Sequence, residues 1–199
     1  MSIRGAGKPQ TRIIGEVGAN SPGSSAGLLV SADGSTISGL NVHNSGDYTQ
    51  NYAIGIYIDC TECRLLDLEV VPDNSANQNY GIYAAGEKAQ VTGVDVRVNA
   101  PGSTPSIGVY DNVSGTEYYR LDVNVIGGAG SCAFNAGTLS DMALKDSRVG
   151  VVAGPALEAL RIDSGSDVRI INTQVDGVAP LTGQHCFHVY TSSGSPVSC

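Results

Sequence analysis

Apolar residues recur along this chain in short alternating runs, and the runs themselves recur. Gly27-Leu-Leu-Val30, Gly55-Ile-Tyr-Ile58, Gly81-Ile-Tyr-Ala84, Gly108-Val-Tyr-Asp111, Ala133-Phe-Asn-Ala136, Ala159-Leu-Arg-Ile162 and Cys186-Phe-His-Val189 are seven versions of one segment. Their second positions, Leu28, Ile56, Ile82, Val109, Phe134, Leu160 and Phe187, are all apolar, at successive spacings of 28, 26, 27, 25, 26 and 27. Two places further on stand Val30, Ile58, Ala84, Asp111, Ala136, Ile162 and Val189, with Asp111 alone polar. Such alternation predicts a half-buried strand.

A second register has the same period. Asn41, Asp67, Asp95, Asp122, Asp146 and Asn172 follow one another at 26, 28, 27, 24 and 26 residues. Four residues before them stand Ile37, Cys63, Val91, Tyr118, Met142 and Val168, and three residues after all but the first stands a valine. A repeat of roughly 26 residues holding two or three short strands cannot bury its apolar face alone. Stacking the repeats in register buries it, each strand bonding the coils above and below at about 4.8 Å. The expectation is an all-β, right-handed parallel β-helix of about seven coils. It forms a single domain over 1–199, with 1–26 an incomplete first coil, 27–185 regular coils and 186–199 a C-terminal capping coil. The Asn-, Ser-, Gly- and Pro-rich connections read as loops on one edge.

If Ile56 and Ile58 point inward, Tyr57 and Asp59 point outward. One outward column then holds Leu29, Tyr57, Tyr83, Tyr110, Asn135, Arg161 and His188, and its neighbour Ser31, Asp59, Ala85, Asn112, Gly137, Asp163 and Tyr190. The three tyrosines form an aromatic ladder. Aromatic faces suit sugar rings, and Asp59, Asn112, Asn135 and Asp163 can take sugar hydroxyls, but stacked aromatics also simply stabilise neighbouring strands. Arg161, Asp163, His188 and Tyr190 would lie together at the C-terminal end. An Arg to hold a carboxylate with a His or Tyr to take a proton is what a uronate-cleaving lyase needs, so Arg161, His188 and Tyr190 are the catalytic candidates. Asp59 and Asp163 stand four coils apart, too far to act as a hydrolase pair. The Asp/Asn column is read as bonding turn N–H groups, with a Ca²⁺ ladder as the alternative and no metal site or other cofactor expected.

The chain carries 19 acidic against 11 basic residues, a net charge of −8, which disfavours nucleic acid and anionic surfaces as partners. No apolar run approaches the roughly 20 residues of a membrane span, and Met1–Gly5 leads into strand-like sequence without the apolar stretch of a signal peptide. The five cysteines are compatible with export. Cys60-Thr-Glu-Cys63 lies in a turn, where a local disulfide or two independent thiols is expected, with the pairing of Cys60, Cys63 and Cys132 left open. Cys186 and Cys199 are placed as a terminal clasp.

Asn79-Tyr-Gly-Ile-Tyr83, its echo Ser106-Ile-Gly-Val-Tyr110, and Val94-Asp-Val-Arg-Val98 resemble the repeats of exported bacterial β-helix proteins of the pectin-lyase-like superfamily. Ser2-Ile-Arg-Gly-Ala-Gly7 with Thr11-Arg-Ile-Ile-Gly15 is similar to an early coil of that group, and Val168–Gly177 with Cys186–Tyr190 to the endings of members carrying tail-fibre-like regions. The polygalacturonase-type Asn-Thr-Asp, Asp-Asp and Gly-His-Gly motifs and the pectate-lyase Arg-rich motif are missing. The resemblance therefore implies an extracellular or cell-surface β-helix, non-catalytic, that binds a glycan or serves as a spacer. The alternative is a tailspike-like lyase or depolymerase acting on an acidic glycan. A chain opening inside a coil fits a homo-oligomer, a capping partner or a longer parent protein.

Overall fold

The computed structural model describes residues 1–15, 17–18, 24–44, 51–72, 77–100, 105–138, 140–153, 158–177 and 185–197, and among them there is no helix. Six parallel strands stack into the smaller of two sheets: Ser24–Val30, Tyr52–Ile58, Gln78–Ala84, Ser106–Asp111, Cys132–Ala136 and Glu158–Ile162. Val17–Gly18 adds antiparallel to its edge. The larger sheet wraps the remaining two sides of the coil. In Thr36–Asn44 and Arg64–Pro72 one long strand covers both sides. In the next coils it divides, as into Gln90–Thr92 and Asp95–Asn99, then Ser114–Tyr119 and Asp122–Ile126. Ser2–Arg4 and Arg12–Gly15 both pair with Thr36–Asn44 and supply the larger sheet's first rung.

This is the parallel solenoid that the repeat predicts, but with about five turns rather than seven, since six small-sheet rungs enclose five steps. The seventh copy of the repeat is not a rung of that sheet. His185–Phe187 pairs instead with Asp167–Ile171 of the larger sheet, with Cys186 opposite Ile170. Cys186 therefore takes the inward position, and Phe187 faces out at 63% exposure.

The inward columns are otherwise as expected: Ile56, Ile82, Val109, Phe134 and Leu160 are buried, as are Val30, Ile58, Ala84 and Ala136. Asp111 is fully buried among them, its Oδ2 accepting from the Tyr118 hydroxyl at 2.8 Å and its Oδ1 from the Val113 amide at 3.1 Å.

The Asp/Asn column is a correction. Asp67, Asp146 and Asn172 sit with Gly39, Gly93 and Arg120 at a corner where the backbone is left-handed, with φ of 48° to 66°. Asn41, Asp95 and Asp122 lie two residues beyond the corner, Asp95 and Asp122 opening a strand and Asn41 within one, and stack with Glu69. The residues read as one column thus belong to two, one at the corner and one on the strand beyond it, where Glu69, Asp95 and Asp122 stack on consecutive rungs. The corner selects Asp and Asn because their short polar side chains tolerate positive φ better than other non-glycine residues.

Candidate binding groove

The site arises from a glycine. In each of the first small-sheet rungs the residues on both sides of Gly27, Gly55, Gly81 or Gly108 fall out of simple alternation, and the pairing skips the glycine. Ile54 and Tyr57, three apart, both face outward, as do Tyr80 with Tyr83 and Ile107 with Tyr110. The kink presses the glycine backbone against the opposite wall. A Cβ on Gly81 would lie 2.1 Å from Val96 Cγ1 and 2.4 Å from the Gly108 carbonyl oxygen. The outer face consequently carries two adjacent columns instead of one. Ala26, Ile54, Tyr80, Ile107 and Cys132 form the first, and Tyr57, Tyr83 and Tyr110 pack beside them as an apolar cluster separate from the core.

The aromatic rings touch along and across the columns. Tyr57 stacks on Tyr83 at 5.2 Å with 13° between planes, and Tyr83 meets Tyr110 at 4.9 Å. Tyr80 stands edge-on to both Tyr83 and Tyr110, at 5.3 and 6.0 Å, and tilted to Tyr52 at 5.9 Å. Together with Ser24, Gln78, Asn135 and Arg161 they line a cavity of about 370 Å³. Burial pushes the phenol pKa of Tyr57, Tyr80, Tyr83 and Tyr110 upward, so these hydroxyls stay neutral over any ordinary pH.

At the C-terminal end Asn135 follows Tyr110 in register and Arg161 follows Asn135. Asn135 is 7% exposed and its Oδ1 has no hydrogen-bond partner among the described residues; the same holds for Ser24 Oγ at the other end. Arg161 donates from Nε and Nη2 to Glu158 Oε2 at 2.6 Å, and from Nη2 to the Gly130 carbonyl oxygen at 3.3 Å. Beside the ladder Asp59, Ala85, Asn112, Gly137 and Asp163 stack as expected, each amide donating to the rung before it. Asp59 and Asp163 therefore lie four steps apart. Both add to the field at the groove, Asp59 at Tyr57 and Asp163 at Tyr110.

Two predicted members are elsewhere. His188 occupies the left-handed corner of the larger sheet, its Nδ1 3.1 Å from Asn172 Oδ1, while Asn172 Nδ2 donates to Asp146 Oδ1 at 3.1 Å. Tyr190 bridges Gln174 and Pro196 and lines a different groove with Arg120 and Arg148. Arg161 and Asp163 on one sheet do not converge with His188 and Tyr190 on the other. The proton acceptor and the carboxylate-holding Arg of the expected lyase patch are thus apart, and the aromatic strip ends at Arg161, four steps or about 19 Å from Tyr57. Among the described residues no group of His, Cys, Asp and Glu is arranged to hold a metal ion.

Cys60 and Cys63 form a disulfide, with Cα atoms 6.1 Å apart. Cys132 is a free, buried thiol in the apolar column beside the tyrosines, its pKa pushed up to about 12 by desolvation. Cys186 is disulfide-bonded; Cys199, its expected partner, lies outside the described residues. Tyr52, Tyr80 and Ser24 belong to the groove but not to the predicted strip. The signal for Tyr80 was present, since Ile54, Tyr80, Ile107 and Cys132 each precede a ladder residue by three, at the coil spacing. Compared with family models, with curated proteins and with solved structures, the chain matches none.

Proposed function

We propose that the chain is a non-catalytic, extracellular or surface-displayed solenoid that binds an extended glycan along the tyrosine groove. The observation that carries this reading is the tyrosine ladder beside a second, apolar column, with buried polar atoms that have no partner among the described residues at both ends. Sugar rings present an apolar face and a rim of hydroxyls, and the groove offers rings beside hydrogen-bonding groups. Export is supported by the disulfide, since such bonds persist in oxidising compartments. The kinship with pectin-lyase-like exported β-helices is part of the same proposal, resting on the Asn79–Tyr83 and Ser106–Tyr110 repeats.

A spacer role is the second reading, and the contact between the rings favours it, because aromatic neighbours across strands stabilise a sheet without any ligand. Fluorescence separates the two. The chain has no tryptophan, and five of its nine tyrosines line the groove, so intrinsic tyrosine emission reports on it directly. Titration with a panel of oligosaccharides should give a saturable change in emission. Stacking contributes about 1 kcal/mol per ring, so three rings give affinity near the millimolar range, made useful by display in several copies. No saturable change with any glycan overturns the binding reading and leaves the spacer.

A further inference from the structure

Resting on that reading, we infer that the groove selects neutral glycans over acidic ones and that Asn135 forms a polar subsite toward its C-terminal end, accepting a hydrogen bond from a sugar hydroxyl. The charge around the groove runs against an anion. Arg161 is the one charged side chain among the described lining residues, and it is already engaged by Glu158 at 2.6 Å. Asp59 and Asp163 flank the ladder. Glu158 offsets the one lining cation, and Asp163 adds a carboxylate beside Tyr110, in a protein whose total charge is −8. A uronate or sulfate lying on the tyrosines would be repelled in a half-buried setting where water screens poorly.

What the groove does supply is neutral hydrogen bonding. The tyrosine hydroxyls are held protonated by burial, and Asn135 lines the cavity with a buried Oδ1 that has no hydrogen-bond partner among the described residues. A buried polar atom without a partner is costly, and native structures rarely leave one unless a ligand or water completes it. Asn135 sits one rung beyond Tyr110 in the same column. A ring resting on Tyr110 therefore lies beside the Asn135 side chain. Ser24 Oγ repeats the arrangement at the far end, four rungs or about 19 Å away.

The test compares cellotetraose, maltotetraose and laminaritetraose with tetragalacturonate and a sulfated tetrasaccharide, by tyrosine fluorescence and calorimetry at low and high salt. Two variants, Asn135→Leu and Arg161→Gln, are run beside the wild type. The expected result is binding of at least one neutral tetrasaccharide, indifferent to salt. Asn135→Leu should weaken it about five-fold, one ordinary hydrogen bond, while its melting temperature holds or rises because an unpartnered polar atom has been removed. A merely structural Asn135 would give the opposite pattern, unchanged binding with a lower melting temperature, and would overturn the subsite. Preference for the acidic probes, abolished by salt or by Arg161→Gln, overturns the neutral selectivity but leaves the groove as a glycan site. Failure of every probe to perturb the tyrosines removes the binding reading itself.

Discussion

Asp111 breaks the apolar column in the sequence, and its setting explains how the fold tolerates it. Desolvation raises its pKa above the usual carboxylate range, opposed by the bonds from Val113, Tyr118 and Ser140. A carboxyl whose pKa is higher folded than unfolded favours folding most when protonated in both states, below the unfolded value. That contribution is lost as pH rises through the folded value. Wild-type stability relative to Asp111→Asn should therefore increase as pH falls from 7 toward the ordinary carboxylate pKa, then level off. The difference is readable as melting temperature against pH for the two proteins. A difference that shrinks on acidification would mean that the hydrogen bonds outweigh burial. The oddity of Asp111 was legible from the pattern, but its partner was not, because Tyr118 lies in the other sheet's register.

At the scale of the strand, period alone located most elements and faces, and its failures have one cause. Side chains on a strand repeat every two residues, so a register slip of two keeps the same face inward and leaves no trace in an apolar pattern. Met142 was aligned with Tyr118, whereas the structure pairs Tyr118 with Leu144 and Met142 with Thr116. The same slip mixed the corner residues Asp67, Asp146 and Asn172 with Asn41, Asp95 and Asp122, which lie two residues beyond the corner. Cys186-Phe-His-Val189 mimicked the repeat but joined the other sheet. The tyrosine ladder as far as Arg161 was readable; the second outer column was not, because alternation cannot anticipate a kink at glycine. That kink has a sharp consequence. Gly81→Ala has no room against Val96 and the Gly108 backbone, and should cost about 1–3 kcal/mol as overpacking does. It should also spread Tyr80 from Tyr83 and weaken any glycan response. Gly15→Ala, where an added Cβ meets nothing within 4 Å, is the control and should leave the melting temperature within about 2 °C.

Across the whole molecule, stability is close to a one-dimensional sum, because each coil touches chiefly the coils before and after it. The N-terminal segment partly departs from this. Lys8 Nζ donates to the Gly93 carbonyl oxygen at 2.9 Å and to Asp95 Oδ2 at 3.0 Å, strapping the first rungs to a coil well beyond them. Glu158–Ile162 has a small-sheet neighbour on one side among the described strands, at Cys132–Ala136. The C-terminal coils should therefore open before the central ones. Leu160, 1% exposed, makes the consequence testable. Leu160→Asp puts an unpaired charge into the core of the last small-sheet rung, a severe local penalty. In a cooperative globule this would destabilise every element together. In a solenoid the damage should decay with distance, so that amide hydrogen exchange accelerates strongly over Glu158–Ile162 and Asp167–Ile171, less over Cys132–Ala136, and little over Tyr52–Ile58 and Gln78–Ala84. Tyr57, Tyr80 and Tyr83 would then keep their ring contacts while the Arg161 end of the groove is lost. Uniform loss of protection along the chain would show instead that the coils fold as one indivisible unit.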